Sequence, residues 1–129
     1  MKAGAIASSV GHDNHNVIVM GTNFEDMAVA VNKVIEMNGG QIAVKDGEVL
    51  ASIAYPVYGL LTDLSAEELA AEKVKLNDAI HGLGSPITIP FMFLSFICLA
   101  ALPCFAITDV GFINVITQQV MDPILEVLE

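Results

Sequence analysis

Positive charge is scarce in this chain: five Lys and Arg stand against 15 Asp and Glu, a formal net charge of −10 over 129 residues. A phosphate backbone repels such a chain, and no basic stripe interleaved with aromatics offsets it, so nucleic-acid binding is excluded. Anionic membrane surfaces are disfavoured for the same reason. Cysteine is nearly absent: Cys98 and Cys104 both lie in an apolar stretch and are expected as buried, reduced thiols. No Cys-x-x-Cys, His-x-His or His-Glu-x-x-His occurs, so a self-contained metal centre is not expected. No G-x-x-x-x-G-K loop is present to cradle phosphates.

Charge is missing altogether between Asp78 and Asp109. A hydropathy window over residues 87–107 imitates a membrane span. Pro86, Pro90 and Pro103 break that window and leave Phe91–Leu102 as uninterrupted helix. A bilayer needs about 20 apolar residues, so the segment is expected as a buried core helix. The Ala-rich start is interrupted by His12 and Asp13 too early for a secretory signal, and the expected compartment is cytoplasmic.

Apolar residues make up 54% of the chain, enough for a packed core and slightly more than one small domain hides. The surplus points to a surface covered by another copy of the chain or by a partner. By length, residues 1–129 are expected as one domain.

Local signals order the elements. Ala5–Val10 and Asn16–Gly21 read as strands, the second rich in β-branched residues. A helix starts at Thr22 or Asn23, since Thr22 with Glu25 matches a capping box and Asn23 competes for the cap. Met27, Val31, Val34 and Ile35 mark its inner face, and Asn38-Gly39-Gly40 ends it. Asp46-Gly47 between Gln41–Lys45 and Glu48–Ala54 predicts a two-residue β-hairpin. Ser65 and Glu68 make a second capping box for a helix to about His81. Leu69, Leu76 and Ile80 point inward from it, Glu67, Lys73 and Lys75 outward, and Gly82 and Gly84 terminate it. Cys104–Thr108 and Phe112–Ile116 read as strands, and an acidic amphipathic tail follows Pro123. The sum is an α+β layer domain: a mixed β-sheet with a β-hairpin, covered by about three helices.

The richest chemistry sits in Gly11-His12-Asp13-Asn14-His15-Asn16, between two apolar stretches. Histidine titrates near neutral pH and is the commonest metal ligand, and a neighbouring carboxylate can hold its tautomer. His12, Asp13, His15 and Asn16 are therefore the candidate catalytic residues, with Ser8 or Ser9 as weaker nucleophile candidates. The alternative is a turn whose Asp and Asn side chains bond the backbone. His81 is expected at a helix end, the Met residues as core filling, and Phe91, Phe93 and Phe96 as core.

Several segments together resemble the C-terminal domain of bacterial and archaeal adenine deaminases. They are Gly4–Asn16, Val19–Asn23, Glu25–Asn32, Gly39-Gly40 through Val49, Pro90–Phe96 and Thr108–Gly111. Gly11 and Asn14 stand where the family usually reads Ala and Ser, while His12, Asp13, His15 and Asn16 match. The resemblance implies a metal-dependent hydrolase of the amidohydrolase superfamily, acting in purine metabolism to convert adenine and water to hypoxanthine and ammonia. It implies no cofactor on this chain; iron or manganese belongs to a separate (β/α)8 barrel in the complete enzyme. The expected partner is that amidohydrolase barrel, in cis or in trans, with adenine bound only by the complete enzyme. This chain is then an excised fragment or a separately encoded copy, inactive alone. The alternative is a non-catalytic small-ligand-binding or structural, regulatory subunit that reuses the fold. With the family's upstream sequence missing, the first strand is expected to have an unpaired edge.

Overall fold

The computed structural model describes residues 1–102 and 104–123. Four strands form one antiparallel sheet in the order β2-β1-β3-β4: β1 (Ala5–Ser8), β2 (Ile18–Gly21), β3 (Gly40–Lys45) and β4 (Glu48–Ala54). Helix α1 (Phe24–Glu36) lies on one face; α2 (Ala66–Gly82) and α3 (Pro90–Ile97) lie on the other. A second antiparallel sheet, β5 (Phe105–Thr108), β6 (Gly111–Asn114) and β7 (Gln119–Met121), meets α3 through β5. The α+β class with three helices is observed. The strands divide over two sheets, and every pairing is antiparallel.

The first strand is central, not an open edge. β1 pairs with β2 through Ala5↔Gly21 and with β3 through Ala5↔Val44, and all four of its residues are buried. Helices cover both faces, so the strand has no solvent side to alternate toward. Ala5, Ala7, Ile42 and Val44 pack against Ala30 and Val34 of α1. On the opposite face Ile6, Ala43 and Ile53 pack with Leu76 and Ile80 of α2, and with Phe91 and Leu94 of α3. Each fully buried Ile or Leu there contributes about 1.5–3 kcal/mol from burial.

The turn chemistry explains the connections. Asp46 and Gly47 both hold positive φ, 52° and 78°, as the tight hairpin turn requires. At the start of α1, Asn23 wins the cap: its Oδ1 accepts the Asp26 N–H at 2.7 Å. Thr22 instead sends its hydroxyl to the Gly4 carbonyl at 3.3 Å, tying the helix entry to β1. At the other end Asn38, at φ 58°, takes the left-handed position. The Gly39 N–H reaches the Val34 carbonyl and the Asn38 N–H reaches Ile35, a Schellman ending. Gly39 is needed for space as well, because a Cβ there would sit 2.3 Å from the Gly59 Cα. The capping box at Ser65 forms with both of its bonds.

Four expectations need correction. Ile35 is 62% exposed, because the inner face of α1 runs through Asp26, Ala30 and Val34. The helix expected over Phe91–Leu102 stops at Ile97, and only one side of it is buried, leaving Met92 and Phe93 more than half exposed. Phe93 is therefore not core, whereas Phe91 is. Cys104 is exposed while Cys98 is buried, and both are free thiols. Strand β7 has no counterpart in the sequence reading. The Pro103 helix stop and the tail after Pro123 fall outside the described residues. Among the described residues no helix is long and apolar enough to cross a membrane.

Candidate functional site

The polar run forms the connection between β1 and β2. It turns over His12–Asn14, and His12, Asp13, Asn14, His15 and Asn16 are all exposed. Backbone bonds shape it: His15 N–H donates to the Gly11 carbonyl at 2.7 Å, and Asn16 N–H donates to Asn14 Oδ1 at 3.0 Å. The second bond is the Asx-type turn weighed as the alternative reading. Helix α3 anchors the run at one point. His12 N–H donates to the Ser95 carbonyl at 3.2 Å, and the Cys98 thiol, 3.0 Å from the same carbonyl, lies 3.5 Å from the His12 carbonyl. The His12 ring lies 5.5 Å from the Phe96 ring. Asp13 makes no hydrogen bond to either imidazole among the described residues, so no carboxylate holds a histidine tautomer here.

The described residues do not fit a metal ion. Among the described residues no three His, Cys, Asp or Glu side chains come near enough together to hold one. His81 sits apart at the end of α2, its Nε2 3.0 Å from the Ile87 carbonyl. No catalytic step through a metal is therefore derived from this chain.

Ser8 and Ser9 are buried backbone latches. Ser9 Oγ accepts the Gly40 N–H at 2.8 Å and donates to the Gly59 carbonyl. Ser8 Oγ accepts the Val10 N–H at 3.0 Å. Both hydroxyls are engaged and enclosed, which leaves neither as an accessible nucleophile.

Beside the turn lies a cavity of about 500 Å³, lined by His12, Gln41, Lys73, Asn77, Phe91 and Phe96 among others. Sequence reasoning missed it, because Lys73 was expected outward. Lys73 instead lays its ammonium over the Tyr55 and Phe91 rings, 5.6 and 5.8 Å from their centroids, and donates to Gln41 Oε1. Burial strips water from the ammonium and lowers its pKa. The same burial raises the pKa of the Tyr55 phenol, which donates to Gln41 Oε1 at 3.2 Å. A signal was present: position 73 falls on the stripe of Leu69, Leu76 and Ile80, one helical repeat apart. A second cleft of about 410 Å³ opens between β2, α3 and β5, with Asn14 and Asn16 in its wall.

Residues 1–119 match the family model described as the adenine deaminase C-terminal domain. The chain belongs to that family. Adenine deaminase 1 of Desulfotalea psychrophila is 46% identical over 125 residues, covering 97% of this chain and 21% of that protein. Adenine deaminase 1 of Carboxydothermus hydrogenoformans is 46% identical over 127 residues, covering 96% of this chain and 21% of its own length. The adenine deaminase of Clostridium botulinum is 44% identical over 114 residues, 88% of this chain and 19% of that protein. This adenine deaminase C-terminal domain thus spans about a fifth of the length of the relatives it matches. The polar turn and both cavities lie inside the matched residues.

Proposed function

We propose that this chain serves as the appended C-terminal part of an adenine deaminase and has no deaminase activity alone. It works with a metal-holding amidohydrolase barrel, joined to it or supplied separately. The observation that carries this reading is the share of length: in the relatives, four fifths of the protein lies outside the matched fifth. The described residues assemble no ligand cluster that would activate water by themselves. Apolar residues left open on α3 and β5, including Met92, Phe93, Phe105 and Ile107, offer a surface for a larger partner.

In this reading His12, Asp13, His15 and Asn16 face the barrel mouth, where barrel enzymes keep their sites. Adenine hydrolysis needs a proton for the ring or the departing ammonia, and an exposed imidazole on an anchored turn can deliver one. Asp13 and Asn16 would orient the base by hydrogen bonds. Grafting this chain onto the Desulfotalea enzyme in place of its matched fifth tests the proposal. The chimera should release ammonia from adenine, and the chain alone with adenine and manganese should release none. His12→Ala or His15→Ala in the chimera should lower kcat by about 100-fold, the lower end of general acid–base contributions, with unchanged thermal unfolding. Ammonia release by the isolated chain refutes the inactive-alone reading. Unchanged kinetics in both variants removes the turn from the site.

A further inference from the structure

The cavity beside the turn has a polarity that its own side chains do not complete. Gln41 Oε1 already accepts from both Tyr55 Oη and Lys73, and Gln41 Nε2 donates to Ser8 Oγ at 3.4 Å. An amide oxygen has two lone pairs, so its acceptor capacity is used. An ammonium has three donors, and one of them serves Gln41. What remains on Lys73 is donor capacity.

The charge pattern points the same way. Lys33, Lys45 and Lys75 each lie within 4 Å of a carboxylate, as an acidic chain makes easy. Lys73, the one lysine not exposed, has no carboxylate partner among the described residues. A half-buried cation without an anion is costly, and aromatic faces offset only part of that cost. Phe91, Phe96 and Met92 give the cavity apolar lining beside His12 and Asn77, and its volume falls within the roughly 300–1,000 Å³ typical of small-molecule sites.

We propose that this cavity is a binding site for a small planar ring carrying an anionic or carbonyl oxygen, which the Lys73 ammonium receives. The ring lies against Phe91 and Phe96, and the oxygen replaces the missing carboxylate. A ring bearing a cation is rejected, because it would bring like charge to the Lys73 ammonium. The site requires no barrel, so the inference stands or falls separately from the catalytic reading.

Benzoate, benzylamine and acetate are sufficient probes, titrated into the 129-residue chain by calorimetry and by amide shifts in NMR spectra. Saturable one-to-one binding of benzoate is expected, with shifts concentrated at residues 73, 77, 91 and 96. Benzylamine should not bind, and acetate should bind at least tenfold more weakly than benzoate. Lys73→Met should weaken benzoate at least tenfold while unfolding cooperatively. Met92→Trp, at the exposed rim, should also weaken it and tests the same place without altering the core. No saturable benzoate binding, equal binding of benzylamine, or benzoate affinity unchanged in both variants overturns the proposal. Acetate binding as tight as benzoate overturns the part played by the ring.

Discussion

Ser9→Ala removes one oxygen atom and strands two backbone groups. The hydroxyl accepts the Gly40 N–H and donates to the Gly59 carbonyl, stapling the end of β1 to the start of β3 and to the segment after β4. Gly40 is buried, so its N–H finds no water once the hydroxyl is gone. A buried donor left unpaired costs about 1–3 kcal/mol, and the lost bond to Gly59 adds roughly 0.5–1 kcal/mol because that carbonyl is only half-buried. The expected loss is about 1.5–4 kcal/mol. At this chain length each kcal/mol lowers Tm by about 3–5 °C, so the variant should melt roughly 5–20 °C lower.

The control is Ser65→Ala, which removes an exposed helix cap that solvent can partly replace. That change should cost about 1 kcal/mol. Chemical denaturation of the three proteins, with m values compared, separates the two sites. A Ser9→Ala loss equal to or smaller than that of Ser65→Ala refutes the argument, because it would mean that the buried latch holds nothing that water cannot hold. The same experiment bears on chemistry: in the chimeric enzyme below its melting range, Ser9→Ala should leave kcat unchanged, whereas a nucleophile would abolish it.

Two further outcomes follow from the entry to α1. Asn23→Ala should cost about 1 kcal/mol as a lost N-cap. Thr22→Ala should cost less, since its hydroxyl bond to Gly4 is long at 3.3 Å; the reverse order in denaturant melts would restore Thr22 as the cap. Asp26 has its pKa lowered, first by the Asn23 side chain and then by the Gly47 N–H. A carboxylate held below its unfolded pKa contributes stability that is full above the ordinary aspartate value of 3.8 and is lost as pH falls through the lower folded value. Asp26→Asn should therefore destabilise the chain at neutral pH, and the gap from the parent should close on acidification. A gap that stays constant from pH 7 to pH 2 would show that the charge of Asp26 contributes nothing.

What was legible in the sequence was mostly local. Asp46-Gly47 dictates its own turn, and Ser65 with Glu68 closes its own capping box, so neither needs the rest of the fold. Helices α1 and α2 follow from periodicity and caps for the same reason, and α3 from the prolines that punctuate its apolar stretch. Pairing partners are nonlocal and were harder to see. Nothing in Ala5–Ser8 says that Ile18–Gly21 and Gly40–Lys45 will flank it, so the missing upstream sequence was taken to leave an edge open where these two strands close it. Helix α3 is apolar on every side, so composition cannot say which side faces the core. Lys73 misled because charge was taken to mean solvent, whereas a long apolar stem lets lysine lie across aromatic rings on a helix's inner stripe.

Composition singled out the polar run, and the length of its connection adds an argument that composition could not supply. Antiparallel neighbours such as β1 and β2 are commonly joined by two to five residues. Here the connection runs from Ser9 to Val17, nine residues. Some of its residues have structural work: Ser9 staples β3, Gly11 receives the His15 N–H, Asn14 receives the Asn16 N–H, and the His12 N–H ties the run to Ser95 of α3. The segment His12–Asn16 stands out in solvent between two recesses, with His12 in the wall of one and Asn14 and Asn16 in the wall of the other. A turn that only reversed the chain would need neither that reach nor five consecutive polar side chains. Shortening His12–Asn16 to a two-residue Asn-Gly turn separates the two roles. If the run only closes a hairpin, the shortened chain should keep its stability and the chimera its turnover. If the run completes a site on a partner, the shortened chain should still fold while deaminase turnover falls at least as far as in His12→Ala. Retained turnover would leave the extra length without a catalytic reason.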